Sequence, residues 1–291
     1  MRGPFIAVDW GTTNRRAYLI DGDGMVQEDE RDDQGVLAVA PDGFAAAAEA
    51  IRSRFGNLPM LCAGMVGSDR GWKQVAYRAC PVDMDTLAAA VEWLEPGRIA
   101  IVPGVSMTAE GRADVMRGEE VQLLGAVAGD LAPPDALLCQ PGTHTKWAEM
   151  KAGRIVRFTS AMTGEIFGML KRHSLLSALL DGPVAPGPAF LAGIEAARHD
   201  DLLTSLFETR AAALLGLRKK ADCAAYVSGL LIGTDVAARL REPGTLVHLL
   251  ADAHLGHLYG TAIDAQRGQS VQIDSHTAFV RGIVEIWRRC G

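Results

Sequence analysis

Apolar residues fall along this chain in short continuous runs, broken by turns rich in glycine, proline and aspartate and alternating with longer Ala- and Leu-rich stretches. The first run, Phe5-Ile6-Ala7-Val8, predicts a buried strand from Phe5 to Asp9. The polar turn Trp10-Gly11-Thr12-Thr13-Asn14 joins it to a second strand, Arg15 to Ile20, and Asp21-Gly22-Asp23-Gly24 reverses the chain again, so the opening reads as a β-meander. Phe44 to Arg54 is helical, Met60 to Ala63 is a strand ending in Gly64-Met65-Val66-Gly67, Thr86 to Leu94 is helical and Arg98 to Val102 is a strand. Strands alternating with helices predict an α/β protein.

The pattern then starts over. Ala136 to Cys139 is an apolar strand, Gln140 to Thr145 a Gly/Thr turn, Lys146 to Met150 a strand, Gly153 a turn, and Arg154 to Phe158 a third strand. Aligned on Gly11 and Gly142, the two meanders share strand, Gly-Thr turn, basic residue, strand and turn. A supersecondary unit repeated half a chain later predicts two similar domains facing one another, 1–130 and 131–291. Glu165 to Arg239 is mostly helical, followed by strand Thr245 to Leu250, helix His254 to Gln266, strand Val271 to Ile273 and a final helix from Ala278.

Charge narrows the range of partners. With Lys+Arg 29 against Asp+Glu 35 the net charge is -6, which removes the excess of cations that sequence-independent nucleic-acid binding requires. No apolar run is long enough for a signal peptide or a membrane span, so a soluble, cytoplasmic protein is expected, with a homodimer left open. Cys62, Cys80, Cys139, Cys223 and Cys290 lie far apart, suggesting neither a disulfide framework nor a zinc site, and are expected as buried thiols.

Chemistry concentrates in the two turns. In Asp9-Trp10-Gly11-Thr12-Thr13-Asn14-Arg15-Arg16, glycine and threonine in a tight hairpin present amide and hydroxyl groups to phosphate oxygens, because a residue without Cβ lets the backbone approach closely. Asp9, at a strand end, offers carboxylate oxygen to magnesium. Gln140-Pro141-Gly142-Thr143-His144-Thr145-Lys146 is the second such turn, and a pair of them can hold a nucleotide's phosphates from both sides. His254 and His257 are spaced to chelate on a helix but read as an ordinary helix face, and no G-x-S-x-G elbow of a serine hydrolase occurs.

These residues resemble the phosphate-1 and phosphate-2 motifs of the actin-like ATPase superfamily of sugar kinases, hexokinases and chaperone ATPases. Ala63-Gly64-Met65-Val66-Gly67-Ser68 with Gly71-Trp72-Lys73, Val115-Met116-Arg117-Gly118-Glu119-Glu120 with Gln122-Leu123-Leu124-Gly125, and Pro141-Gly142-Thr143-His144 with Lys146-Trp147 are similar to the 2-dehydro-3-deoxygalactonokinase family. Thr163-Gly164-Glu165, Ser228 to Gly233, and Thr277-Ala278-Phe279 with Gly282 also fit it, in order and over nearly the whole chain. The resemblance implies two actin-like (ribonuclease H-like) domains with a cleft between them, ATP and Mg2+ as cofactors, and phosphorylation of the 6-hydroxyl of a small-molecule sugar acid, 2-dehydro-3-deoxy-D-galactonate. It puts Gly11, Thr12, Thr13, Arg16, Gly142, Thr143, His144 and Lys146 on phosphate. One segment departs: where such kinases hold adenosine with a glycine-rich turn, this chain has Leu249-Leu250-Ala251-Asp252-Ala253-His254.

Sugar kinases of this superfamily place an acid at a helix start before phosphate 2, and Gly118-Glu119-Glu120 is similar, so Glu119 is expected as the proton acceptor, with Glu120 and Asp114 as rivals. Arg117 and Arg15 are candidates for the substrate carboxylate because a guanidinium binds it bidentately. Asn14, Gly64, Met65, Ser68, Trp72 and Glu120 complete the candidates on the sugar side. A kinase for another sugar acid or amino sugar, or a non-kinase actin-like nucleotide-binding module, are the alternatives.

Overall fold

The computed structural model describes residues 3–109 and 111–290. In chain order it forms β1 (Phe5–Trp10), β2 (Arg15–Ile20), β3 (Val26–Asp32), α1 (Phe44–Arg54), β4 (Met60–Gly64), β5 (Arg78–Ala79), α2 (Met84–Ala88), β6 (Glu92–Glu95), β7 (Ile99–Ile101), β8 (Val105–Ala109), β9 (Arg112–Met116) and α3 (Glu119–Ala128). There follow β10 (Ala136–Gln140), β11 (Thr145–Lys151), β12 (Arg154–Ala161), α4 (Thr163–His173), α5 (Pro188–His199), α6 (Leu202–Leu214), α7 (Lys220–Ala237), β13 (Leu246–Leu250), α8 (Ala253–Ala265), β14 (Gln269–Ile273) and α9 (Ser275–Arg289).

One sheet runs β3-β2-β1-β4-β7-β6 and another β12-β11-β10-β13-β14, so each begins with the same arrangement of a three-strand meander followed by further strands beside its first member. β1 pairs antiparallel with β2 and parallel with β4, and β10 pairs parallel with β13. This repeated order gives the two similar α/β domains that the two meanders predict, in keeping with the actin-like architecture that the resemblance implies. β1 is enclosed on both faces, which is why it reads as a continuous apolar run rather than an alternation. Ile6, Val8 and Trp10 face α1, while Phe5 stacks on Trp287 of α9 with ring centroids 4.7 Å apart.

The chain divides into two units: the described residues up to Asp135 with Ala148–Phe158 and the segment from Ser275, and Ala136–Trp147 with Thr159–Asp274. A single boundary near residue 130 therefore does not describe the division, because α9 returns to the first unit. Glycines make that return possible. A Cβ on Gly125 of α3 would lie 2.1 Å from the Ala278 carbonyl oxygen, and one on Gly282 of α9 would lie 2.0 Å from that of Val121, so the two helix backbones touch where any side chain would separate them.

Two expectations change. The helix read over Thr86 to Leu94 stops at Ala88, and Glu92–Glu95 joins the sheet edge as β6, antiparallel to β7, because strand pairing overrides the helical propensity of the intervening alanines. The hairpin β8–β9, which with β5 makes a separate three-stranded sheet, was not expected. No described helix is long and apolar enough to cross a membrane. Cys62, Cys139, Cys223 and Cys290 are buried free thiols and Cys80 is half-buried.

Candidate active site

In the first unit three chain segments meet at the end of β1. Trp10 pairs with Gly64, the last residue of β4, and a Cβ on Gly64 would lie 2.7 Å from the Trp10 carbonyl oxygen. Gly64 has φ +96 and Gly118, which precedes α3, has φ +107, so both need a backbone conformation that side-chain-bearing residues rarely adopt. A Cβ on Gly118 would come within 3.0 Å of the Gly64 Cα. The first turn of α3 is thereby pressed against the strand ends that carry Asp9.

The acids gathered there differ in exposure. Asp9 and Glu119 are half-buried, whereas Glu120 is fully enclosed and both its carboxylate oxygens accept the Gly118 N–H, at 2.9 and 2.7 Å. Glu119 Oε2 accepts the Arg117 N–H at 3.0 Å. Burial, and then the charge of Glu119, push the Asp9 carboxyl up to about 6 against the pull of Arg16; the same two causes push Glu120 up to about 8. The structure thus brings Asp9, Arg16 and Glu119 together and encloses Glu120 completely behind them. Asp114 lies apart from α3, in β9, where its Oδ1 accepts the Val115 N–H at 2.8 Å.

The first Gly-Thr turn is held from behind. The Thr13, Gly11 and Thr12 carbonyls accept the N–H groups of Gly35, Val36 and Leu37 at 3.3, 2.9 and 3.1 Å, and Trp10 Nε1 donates to the Gln34 carbonyl at 2.9 Å. Gly35 fits only without a side chain, since its Cβ would sit 2.4 Å from the Thr13 carbonyl carbon. With its carbonyls occupied, the turn leaves Thr12, Thr13 and Asn14 exposed at its tip, where Asn14 Nδ2 donates to Thr13 Oγ1 at 3.0 Å.

Strand alternation separates the two candidate arginines. Asp9 pairs across the hairpin with Arg16, and Trp10 with Arg15, so Arg15 shares the α1 face with Trp10 while Asp9 looks the other way. Arg15 ion-pairs with Asp32 at 2.5 Å and lies over the Trp10 ring. This alternation was readable from the sequence and takes Arg15 out of the acid site. Arg117 is the better candidate: 7% exposed, it donates from Nη2 to the Val75 carbonyl at 2.7 Å, lies over the Tyr77 ring, and its Nε and Nη1 have no hydrogen-bond partner among the described residues. Nη1 sits against Gly67, where a Cβ would come within 2.8 Å. The remaining sugar-side candidates serve the turn that follows β4: the Ser68 hydroxyl donates to the Met65 carbonyl at 2.7 Å, and Met65 and Trp72 pack on the α1-side core.

The second unit repeats the device. The Thr143 carbonyl accepts the Glu165 N–H at 2.9 Å, and Gly164 backs the turn so closely that its Cβ would lie 2.4 Å from the Gly142 carbonyl oxygen. His144 Nε2 lies 2.6 Å from Glu165 Oε2, which makes it a partner of α4 at the turn's tip. Lys146 is buried and donates from Nζ to Ser160 Oγ at 2.7 Å. Gly142 itself stands apart: its φ is outside the left-handed region, and the nearest atom to an added Cβ is the His144 carbonyl oxygen at 3.8 Å, an ordinary contact. His254 and His257 are exposed on α8.

The sequence profile of the family described as 2-keto-3-deoxy-galactonokinase matches residues 9–286, a span that holds the acid site and both turns. The chain belongs to the 2-keto-3-deoxy-galactonokinase family. It is 35% identical over 292 residues, 98% of this chain and 98% of the relative, to the 2-dehydro-3-deoxygalactonokinase of Escherichia coli (strain K12). A crystal structure from Sinorhizobium meliloti, assigned as a 2-dehydro-3-deoxygalactonokinase protein, matches with TM-score 0.90 at 33% identity, covering 98% of each chain. The activator of the 2-hydroxyisocaproyl-CoA dehydratase from Clostridium difficile matches with TM-score 0.51 at 9% identity over 98% of this chain and 95% of that one, a likeness of fold alone.

Proposed function

We propose that this protein transfers the γ-phosphoryl group of ATP to the 6-hydroxyl of 2-dehydro-3-deoxy-D-galactonate, the kinase step of galactonate catabolism, with one actin-like domain carrying each phosphate turn. Beyond family membership, the observation that carries the reading is Gly142. Nothing in the fold requires a glycine there, whereas the approach of a phosphate to the backbone does.

As the substrate oxygen bonds to the γ-phosphorus and the bond to the ADP oxygen breaks, the hydroxyl proton passes to Glu119, a half-buried carboxylate at the head of α3. Asp9 is suited to magnesium. Two carboxylates whose mutual repulsion helps raise Asp9 to about 6 are relieved by a divalent cation. Magnesium is an ion that takes one or two carboxylates and completes its shell with phosphate oxygens and water. A magnesium ion held by Asp9 would supply neutralisation of the phosphate charge. Arg117 is assigned to the substrate carboxylate: its Nε and Nη1, without a hydrogen-bond partner among the described residues, are the donors such a group takes.

The test is a screen of sugar acids and amino sugars with MgATP, following ADP release and locating the phosphate by NMR. Product phosphorylated at C6 of 2-dehydro-3-deoxygalactonate, at a kcat/KM well above that of every other acceptor, is expected. A better acceptor, or ADP release indifferent to any acceptor, overturns the reading. Gly142→Ala provides a separate check. Its added methyl has room in the protein, so the melting temperature should stay within about 2 °C, while KM for ATP rises on the order of tenfold because the methyl occupies the space a phosphate oxygen needs.

A further inference from the structure

A buried hydrogen-bond hub stands behind the second phosphate turn. Asp235, near the end of α7, is 7% exposed. Its Oδ1 accepts from Trp147 Nε1 at 3.1 Å, and its Oδ2 accepts from Thr163 Oγ1 at 3.0 Å and from the Tyr259 hydroxyl at 3.2 Å. Because Tyr259 gives its one hydroxyl proton to Asp235, the Thr145 hydroxyl 2.6 Å away donates to Tyr259, extending the chain of bonds by one more residue.

The positions of these partners give the hub its meaning. Thr145 and Trp147 lie where the chain leaves the turn as β11. Thr163 is the first residue of α4, and the next two, Gly164 and Glu165, are the ones that press on Gly142 and bond to Thr143. One carboxylate therefore ties together the strand on one side of the turn and the helix that backs it. We propose that Asp235 is a positioning residue for the phosphate-2 turn, holding its two supports in one geometry so that the turn meets the nucleotide already shaped. This rests on the reading of that turn as a phosphate site.

The chemistry of the hub separates its substitutions. Trp147 Nε1 can only donate, so an oxygen must face it; the other position faces two hydroxyls, which can donate or accept. Asparagine meets both conditions by turning its amide NH2 toward Thr163 and Tyr259, with Tyr259 then donating to Thr145, whereas alanine leaves Trp147 Nε1 and the Thr163 hydroxyl without their acceptor and unties the strand from the helix. Asp235→Asn is therefore the conservative rescue and Asp235→Ala the loss. Thr163→Val removes a single bond at the start of α4 and serves even where Asp235→Ala does not fold.

The experiment measures the dissociation constant of a non-hydrolysable ATP analogue with magnesium by calorimetry, and the separate KM values for ATP and sugar acid, in the intact chain and the three variants. Expected are a roughly 10–100-fold weaker analogue affinity in Asp235→Ala, about 3–10-fold in Thr163→Val, and near-normal affinity in Asp235→Asn, the losses of a few hydrogen bonds acting through one element. KM for the sugar acid should stay within about twofold of the parent value. Unchanged analogue affinity in a folded Asp235→Ala or in Thr163→Val overturns the proposal even if their melting temperatures fall, as does an equal weakening toward the sugar acid. Failure of the parent protein to bind the analogue overturns the phosphate-site reading and this proposal with it, whereas normal binding by the parent and by the variants overturns this proposal alone.

Discussion

Replacing Glu119 by glutamine is expected to lower kcat by ~10²–10⁴-fold, the usual contribution of a general base, with the smaller end favoured because a loose phosphoryl transition state needs little early proton removal. Nucleotide affinity should hardly change, since both turns and Asp9 remain. Glu120→Gln is expected to keep nearly full turnover, because Glu120 is fully enclosed and its oxygens are committed to the Gly118 amide. What Glu120→Gln alters is the pH dependence of stability. The native carboxyl is pushed from 4.5 up to about 8, so between those values the unfolded chain ionises first, and stability present below about 4.5 is withdrawn as pH rises toward 8. Melting temperatures measured from pH 5 to 8 should fall less steeply in Glu120→Gln than in the parent. Stopped-flow or steady-state kinetics on the pair decides the roles: a larger loss in Glu120→Gln moves the base one residue along, and full activity in both moves it off α3 altogether.

For Asp9→Asn, turnover at saturating substrates should drop on the order of 10²–10³-fold, the cost of removing one preorganised charge from a transition state. The pH profile adds a sharper reading. Asp9 must be ionised to hold a cation, and in the metal-free protein its carboxyl stands at about 6. Below that pH, protons and magnesium compete for it, so the half-saturating magnesium concentration should rise toward tenfold per pH unit, and flatten above it. Asp9→Asn has no such proton to lose, and its magnesium dependence should be weak and level across the same range. A parent enzyme whose magnesium requirement is constant from pH 5 to 7 would argue that Asp9 has another task.

Much of this site was legible because its chemistry is local. Asp9 at a strand end, the Gly-Thr turns and the acid at the start of α3 are short-range patterns, and the two meanders could be matched by eye. What escaped is what depends on residues distant in the chain. Gly35 looks like any loop glycine until the backbone of Thr12 and Thr13 is laid against it. Asp235 sits in a mostly apolar, buried helix and acquires its partners from β11, α4 and α8. The β8–β9 hairpin does carry a period-two signal, Val105-Ser106-Met107-Thr108-Ala109 and Arg112-Ala113-Asp114-Val115, but each run is only a few residues long and largely exposed, so it stands out little from the surrounding loop. The alternation that puts Arg15 on the Trp10 face, away from Asp9, is by contrast already present in the sequence.

The return of α9 to the first unit bears on how the protein is made. Phe5 of β1 is buried under Trp287, and Tyr18 of β2 stacks on Phe279 with ring centroids 5.7 Å apart. As the ribosome releases the chain, β1, β2 and α3 emerge early, but their cover follows only after the whole of the second unit has been synthesised. The nascent first unit therefore waits with an open aromatic face, exposed to chaperones and to neighbouring chains, until the glycines of α9 reach those of α3. Translation cut short before Ser275 yields a first unit that cannot close, however complete its phosphate turn and its acids are.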